Sequence, residues 1–189
     1  MKPLDGITIL DLTTNLPGPY ATQLLVDLGA QVIKIENKRG DTTRYLPPHV
    51  DGVGAFFIAI NEGKRSLVLD LKSEAGLDVL FKLVEKADIL VEGFRPGVLV
   101  RLGASAKKLH EINPRLVIGS LSGYGSDGPY RDRPGHDANF LGYSGLLSVT
   151  VDDQNKEPVQ AGVQIADIAG GAQFCVALLA ALYRAEKTG

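Results

Sequence analysis

Residues 7–36 read ITILDLTTNLPGPYATQLLVDLGAQVIKIE, and this stretch decides the fold class. Ile7 to Leu12 is an apolar run of strand length. Pro17-Gly18-Pro19 breaks it, after which Tyr20, Leu24, Leu25 and Leu28 recur at helical spacing and Gly29 stands where a helix cap belongs. Gln31 to Glu36 (QVIKIE) returns to strand composition. A strand, a helix and a second strand with so few residues between them predict a parallel pair joined by a crossover helix.

The same rhythm continues along the chain. Asn37 to Pro48 is polar, carries Lys38, Arg39, Arg44 and a Pro-Pro, and reads as a surface loop. Phe56 to Ile60 is apolar, and Asn61-Glu62-Gly63-Lys64 reads as a turn. Ser66 to Leu71 is a third strand. Ser73 is placed to cap a helix over Glu74 to Lys86, where Leu77, Leu80, Phe81 and Val84 repeat at three and four. Asp88 to Val91 is a fourth strand, Glu92 to Gly97 a loop, and a short helix carries Arg101. Ala106 to Ile112 is helical and Leu116 to Leu121 is a fifth strand. After Pro134 the pattern is helical through Phe140, Leu141, Ser144 and Leu147, followed by a polar loop over Val151 to Pro158. Gln164 to Ala185 forms a long apolar helix with Ile168, Ala172, Cys175, Leu178, Leu179 and Leu182 as buried candidates. Strands alternating with helices predict one α/β domain over residues 1–189, a Rossmann-like, mainly parallel sheet flanked by helices and ending in a long helix.

Composition narrows the function classes. With 44% hydrophobic and 22% charged residues in 189, the chain can build a core. A formal net charge of −2 argues against a nucleic-acid binder. A single cysteine, Cys175, excludes an internal disulfide and a cysteine-rich metal site, and no histidine or cysteine spacing suggests a metal. The start, MKPLDGITILDL, lacks a signal-peptide pattern, and no uninterrupted apolar run reaches about 18 residues, so neither export nor a membrane span is expected. The expectation is a cytoplasmic protein.

In parallel sheets, ligands bind beyond the carboxyl ends of the strands. The loops beginning near Asn37, Lys72, Glu92 and Ser122 then share one edge, which gathers Lys38, Arg39, Lys72, Arg95 and Arg101. Such a rim suits a phosphorylated ligand; the plainer alternative is solvated loop cations. Gly123 to Gly128 matches GxGxxG, yet Pro129 and a charged RDRP follow where a dinucleotide site needs a helix to open. His136-Asp137 after Pro134-Gly135, and Asp167 in an apolar run beside Gly170-Gly171, are acid–base groups in the glycine-rich, apolar settings that perturb pKa values. Each also has a structural reading: Asp137 bonding the imidazole or capping a helix, and Asp167 capping the long helix. Cys175 reads as a packed thiol.

The segments LPGPYATQLLVDLGAQVIKIE, NEGKRSLVLDLKSEAG, ADILVEGFRPGVLVRLG, NPRLVIGSLSGYGSDGPY, GHDANFLGYSGLLS and ADIAGG carry a resemblance. In this order they resemble the family III CoA-transferases (the CaiB/BaiF type), which include formyl-CoA transferase, carnitine CoA-transferase and α-methylacyl-CoA racemase. GHDxNF followed by ADIxGG looks closest to the racemase branch. The resemblance implies a racemase whose acid–base pair is His136 and Asp167, one removing the α-proton of a 2-methylacyl-CoA thioester and the other returning it on the opposite face. Backbone N–H groups near Gly135 to Asp137 would then stabilise the enolate. The alternative it implies is a CoA-transferase with Asp167 as covalent nucleophile. A third reading, from a different class, is a non-catalytic CoA-binding or assembly half.

The resemblance also places CoA against Arg39, Leu69, Lys72, Arg95 and Arg101, with Gly135, Asp137 and Phe140 lining the acyl-CoA site. CoA enters as a substrate thioester, with no covalently bound cofactor. Asn37 stands where racemases have arginine, so Lys38 or Arg39 would substitute, and Glu62 replaces a cation in the NEGKR turn. Family members are roughly twice as long. The chain is thus expected to be the N-terminal CoA-binding half of an interlocked dimer, partnered by a second copy or a complementing C-terminal half, with the apolar 164–185 helix left short of its cover.

Overall fold

The computed structural model describes residues 1–188. β1 (Thr8–Leu12) leads into α1 (Pro17–Asp27), which opens on proline, whose missing N–H is no loss in a first turn. Gly29, at φ +111°, reverses the chain into β2 (Gln31–Glu36). β1 and β2 run parallel, Thr8 opposite Gln31 and Asp11 opposite Lys34, as the opening stretch predicts. A 3₁₀ turn over Thr42–Tyr45 and a small hairpin, β3 (His49–Val50) and β4 (Val53–Gly54), follow. Then come α2 (Ala55–Asn61), β5 (Arg65–Val68), α3 (Glu74–Val84), β6 (Ile89–Glu92), α4 (Val98–Arg101), α5 (Ala106–Ile112) and β7 (Val117–Ser120). The chain closes with α6 (Asp137–Tyr143), α7 (Leu146–Val149) and α8 (Ile165–Thr188).

The main sheet has the order β5-β2-β1-β6-β7, and every neighbouring pair is parallel. Strand side chains alternate between faces, so one strand serves two cores. Ile9, Val32, Ile89 and Val117 face one layer, where Ala21 and Leu25 of α1 meet Cys175, Leu178 and Leu182 of α8. Leu10, Leu12, Ile35 and Leu90 face the other, against Leu80 and Val84 of α3 and Leu109 of α5. Each fully buried leucine stabilises this three-layer stack by about 2 kcal/mol. The chain winds outward from β1 through β2 to β5, then returns to β6 and β7. The carboxyl ends of β1 and β6 therefore flank the point where winding reverses, which is where open α/β sheets form ligand crevices.

Four local expectations are corrected. The Asn37–Pro48 segment is not merely a surface loop: Asp41 and Thr43 are buried in it, and Asp41 caps the 3₁₀ turn by accepting from the Thr43 backbone N–H at 3.0 Å. The third strand stops at Val68 rather than Leu71. The helical pattern after Pro134 is two short helices, because Gly145 at φ +81° divides it. Ile168 is exposed, since the buried stripe of α8 is Gly171, Cys175, Leu178 and Leu182. Glycine is required at the first of these: a Cβ on Gly171 would stand 2.5 Å from the Pro17 carbonyl oxygen, so its absence lets α8 lie against the start of α1. The opposite side of α8 leaves Val176, Ala177, Ala180 and Tyr183 in solvent. Gln, Gly and Asp residues interrupt its apolar run. Even so, among the described residues α8 is the one helix long and apolar enough to cross a membrane, with a mean hydropathy of 1.8 over its most apolar window. A helix that packs one face into a core passes that same measure.

Candidate functional site

A cavity of about 530 Å³ opens at the point of reversal. Its floor is the loop after β1 (Thr13 to Asn15, with Pro17 and Gly18) and the loop after β6 (Gly93 to Pro96). Leu121 to Gly123 continue from β7, Arg131 and Arg133 to His136 come from the segment before α6, and Ala166, Asp167 and Gly170 come from the first turns of α8. Phe140 of α6 completes the wall. Its ring fits where side chains on Gly123 or Gly135 would be: an added Cβ would meet it at 2.6 Å and 2.8 Å respectively. Gly125 and Gly128, at φ +84° and +82°, make turns, and no helix opens before Asp137. The GxGxxG match is a turn sequence, as its context predicts.

Of the residues expected at the site, His136, Asp167, Arg95, Gly135 and Phe140 line this cavity. Asp137 is buried behind it. Its Oδ1 accepts the backbone N–H of Asp167 at 3.1 Å, and its Oδ2 has no partner. Asp137 therefore ties α6 to α8 rather than bonding the imidazole. The backbone N–H of His136 donates to Asn139 Oδ1 at 2.8 Å, so this amide is already engaged and is not free to hold an enolate. The Asp167 carboxyl is pushed above its ordinary value by burial first and by the Asp137 carboxylate second, with His136 pulling it partly back. Arg39, Leu69, Lys72 and Arg101 do not line the cavity. Leu69 packs on the core at the carboxyl end of the sheet, and Arg39, Lys72 and Arg101 are exposed around that edge.

The sequence reading missed two groups. One is the pair Arg131 and Arg133 on the cavity wall. The other is a buried charge network under the cavity floor. Lys64 Nζ lies 3.2 Å from Asp11 Oδ2 and also donates to the Pro19 carbonyl at 2.8 Å and Thr22 Oγ1 at 2.8 Å. Lys34 Nζ lies 3.0 Å from Asp41 Oδ2 and donates to the Thr13 carbonyl at 2.9 Å. Asp11 Oδ1 accepts from the backbone N–H and the hydroxyl of Thr13. Burial raises the Asp11 carboxyl, but Lys64, Lys34 and the hydroxyls of Thr13 and Thr22 outweigh it and hold it below its ordinary value. Burial brings Lys64 down to about 8 despite Asp11. The network fixes the backbone of Thr13, the first residue of the cavity floor. Its signal was a charge at an inward strand position: Asp11 in ITILDL and Lys34 in QVIKIE. Beside it, Glu36 accepts from Arg44 through both carboxylate oxygens, with Nε–Oε1 at 2.9 Å.

The chain matches the model of CoA-transferase family III over residues 4–189. It belongs to that family. This family III chain is 40% identical to acetyl-CoA:oxalate CoA-transferase of Acetobacter aceti, with 99% of the chain and 48% of that protein matched. It is 39% identical to human succinyl-CoA:glutarate CoA-transferase, with 100% and 43% matched. The crystal structure of a CAIB/BAIF family protein from Brucella suis superposes with a TM-score of 0.94 at 38% identity, covering 100% of this chain and 51% of that one. The chain thus spans about half the length of the curated relatives it matches. These relatives bear the names of CoA-transferases, so the comparisons favour the transfer alternative over the racemase reading that His136 suggested.

Proposed function

We propose that residues 1–189 are the CoA-binding, nucleophile-bearing half of an enzyme that moves CoA between two carboxylic acids, with Asp167 as the covalent nucleophile. The observation that carries this reading is the Asp167 carboxyl, half-buried on the first turn of α8 in the crevice where the sheet reverses. The names of the relatives, transferases acting with oxalate, succinate or glutarate, support it. The Asp167 carboxylate attacks the thioester carbonyl and expels CoA thiolate, leaving an acyl–aspartyl anhydride. The thiolate attacks the aspartyl carbon, freeing the first acid and forming an aspartyl–CoA thioester. The incoming carboxylate attacks that thioester, and the released thiolate then takes the new acyl group and restores Asp167. Partial burial keeps a carboxylate reactive by stripping its water, which is also why its pKa is high. Arg95 on the floor, with Lys72, Arg101 and Arg39 outside it, supplies the cations for the CoA phosphates, and a second copy or a C-terminal half completes the site.

The test is mass spectrometry of the chain after incubation with acyl-CoA. A hydroxylamine-labile adduct on the Asp167 peptide, absent in Asp167→Asn, is the expected result; an unmodified peptide, in this chain and again once the completing half is supplied, overturns the reading. One observation favours a second reading. His136 lines the same cavity as Asp167 from a different element, the arrangement two-base racemisation requires. Exchange of the α-hydrogen of 2-methylacyl-CoA in deuterated water without any acceptor acid, lost in His136→Ala, would select it.

A further inference from the structure

Asn15 stands in the cavity floor at φ +66°, in the left-handed region that residues with a side chain seldom adopt. Asparagine tolerates that conformation better than most, but neighbours must still enforce it. Here they do. The Asn15 backbone N–H donates to Asp41 Oδ1 at 3.4 Å, and the Asn15 side-chain Oδ1 accepts the Thr42 hydroxyl at 2.8 Å. Asp41 is itself anchored: fully buried, it pairs with the buried Lys34 ammonium at 3.0 Å and accepts from the N–H and hydroxyl of Thr43. Lys34 also donates to the carbonyl of Thr13, two residues before Asn15, at 2.9 Å.

This clamp leaves one end of the side chain unused. With Oδ1 taken by Thr42, the orientation of the amide is set, and Nδ2 carries two N–H donors. Among the described residues Nδ2 donates to no acceptor, the two bonds above being those of Asn15. Asn15 is exposed, and the cavity it lines is the one that holds Asp167. The His136 backbone N–H, which could otherwise meet an acyl oxygen there, is already given to Asn139.

We propose that Asn15 Nδ2 donates to the thioester carbonyl oxygen of an acyl-CoA bound against Asp167. This rests on the reading of the cavity as an acyl-CoA site and adds a residue that holds the carbonyl. A clamped backbone and a pinned Oδ1 leave the amide little freedom to lose on binding. Attack on the thioester gathers negative charge on that oxygen, and a donor already in place stabilises it without reorganisation.

Titration calorimetry of the chain with acetyl-CoA and S-ethyl-CoA, for wild type, Asn15→Gly and Asn15→Asp, tests this. The two ligands differ at one position, where the thioether has a methylene and the thioester a carbonyl. Wild type is expected to hold acetyl-CoA about fivefold more tightly, the net worth of one hydrogen bond. Asn15→Gly removes the amide and fits the left-handed backbone without strain. It should bring the ratio to about one and leave S-ethyl-CoA within about twofold. Asn15→Asp keeps the left-handed tolerance and the acceptor for Thr42 but has no N–H to donate, so it should lose the preference as well. Equal affinity for the two ligands in wild type, or binding of neither, overturns the proposal. So does a preference that survives in Asn15→Gly. A loss in Asn15→Gly that falls equally on both ligands overturns it too, since Asn15 then only shapes the floor. Failure of the transfer reading shows elsewhere, as absence of the Asp167 adduct, whatever the ratio.

Discussion

The backbone N–H of Asp167 donates to Oδ1 of Asp137 across 3.1 Å, joining the first turn of α8 to the first turn of α6. The nucleophile candidate is thus held by a second carboxylate that is itself buried, with its other oxygen unpartnered. That pairing is electrostatically uphill and raises the Asp167 carboxyl, after the larger effect of burial. Asp137→Asn keeps an oxygen for the hydrogen bond and removes the charge. The pH at which Asp167 becomes half-reactive toward acyl-CoA should move down, because the anion is then easier to form. His136→Ala should move it up. Adduct formation followed by mass spectrometry between pH 4 and pH 8 reads both shifts, and equal midpoints in all three proteins would contradict the argument.

Glu36 contributes to acid stability. Burial raises its carboxyl, but hydrogen bonds from Arg44, Ser66 and the Asp41 backbone outweigh that and bring it to about 2, against an ordinary 4.5. The unfolded chain binds a proton here between those values while the folded chain does not. The contribution, about 2–3 kcal/mol, is therefore fully present above pH 4.5 and is lost as pH falls toward 2. Urea denaturation against pH should show a steeper acid limb in wild type than in Glu36→Gln.

Removing Lys64 leaves Asp11 buried beside Thr13 with no ion-pair partner, since Lys34 is paired with Asp41. Lys64→Met should destabilise the fold by about 3–5 kcal/mol and weaken ligand binding, since the Thr13 floor loses its fixed support. Pairing it with Asp11→Leu should recover much of the stability by removing the stranded charge. Denaturant midpoints of the two single variants and the double variant form the cycle that decides this.

Gly171 sets the distance between α8 and α1. Gly171→Ala puts a Cβ 2.5 Å from the Pro17 oxygen, so the helices must separate. The expected cost is about 1–3 kcal/mol, with lower Asp167 reactivity because α8 carries that residue. A stable protein with unchanged adduct yield would show that the contact relaxes without moving the site.

The solvent side of α8, with Val176 60% and Tyr183 66% exposed, should drive self-association. Sedimentation is expected to show species larger than one chain, and Val176→Glu to shift them toward monomer. A monodisperse wild-type monomer would remove this expectation.

Local periodicity carried most of the architecture. The ITILDL and QVIKIE runs, the three-and-four spacing in α3, and Gly29 and Ser73 at helix ends depend only on near neighbours in sequence, so the five main strands, most helices and the parallel character of the sheet could be read from them, but not the strand order, α2 or the β3–β4 hairpin. The motif residues His136 and Asp167 were readable too, as polar groups in apolar, glycine-rich surroundings. Their arrangement was not. The cavity is assembled from the ends of β1, β6 and β7 and the starts of α6 and α8, and only sheet reversal brings those together. Asp137 could be read as bonding the imidazole, but packing gives it the Asp167 backbone instead. Asp11, Lys34 and Lys64 look like ordinary charges in one dimension, because burial and ion pairing are properties of the closed core. Arg133 looks like one cation in RDRP until Tyr130 and Tyr143 fold against it. Distances between groups far apart in sequence follow from how the layers close, and the site's chemistry depends on those distances.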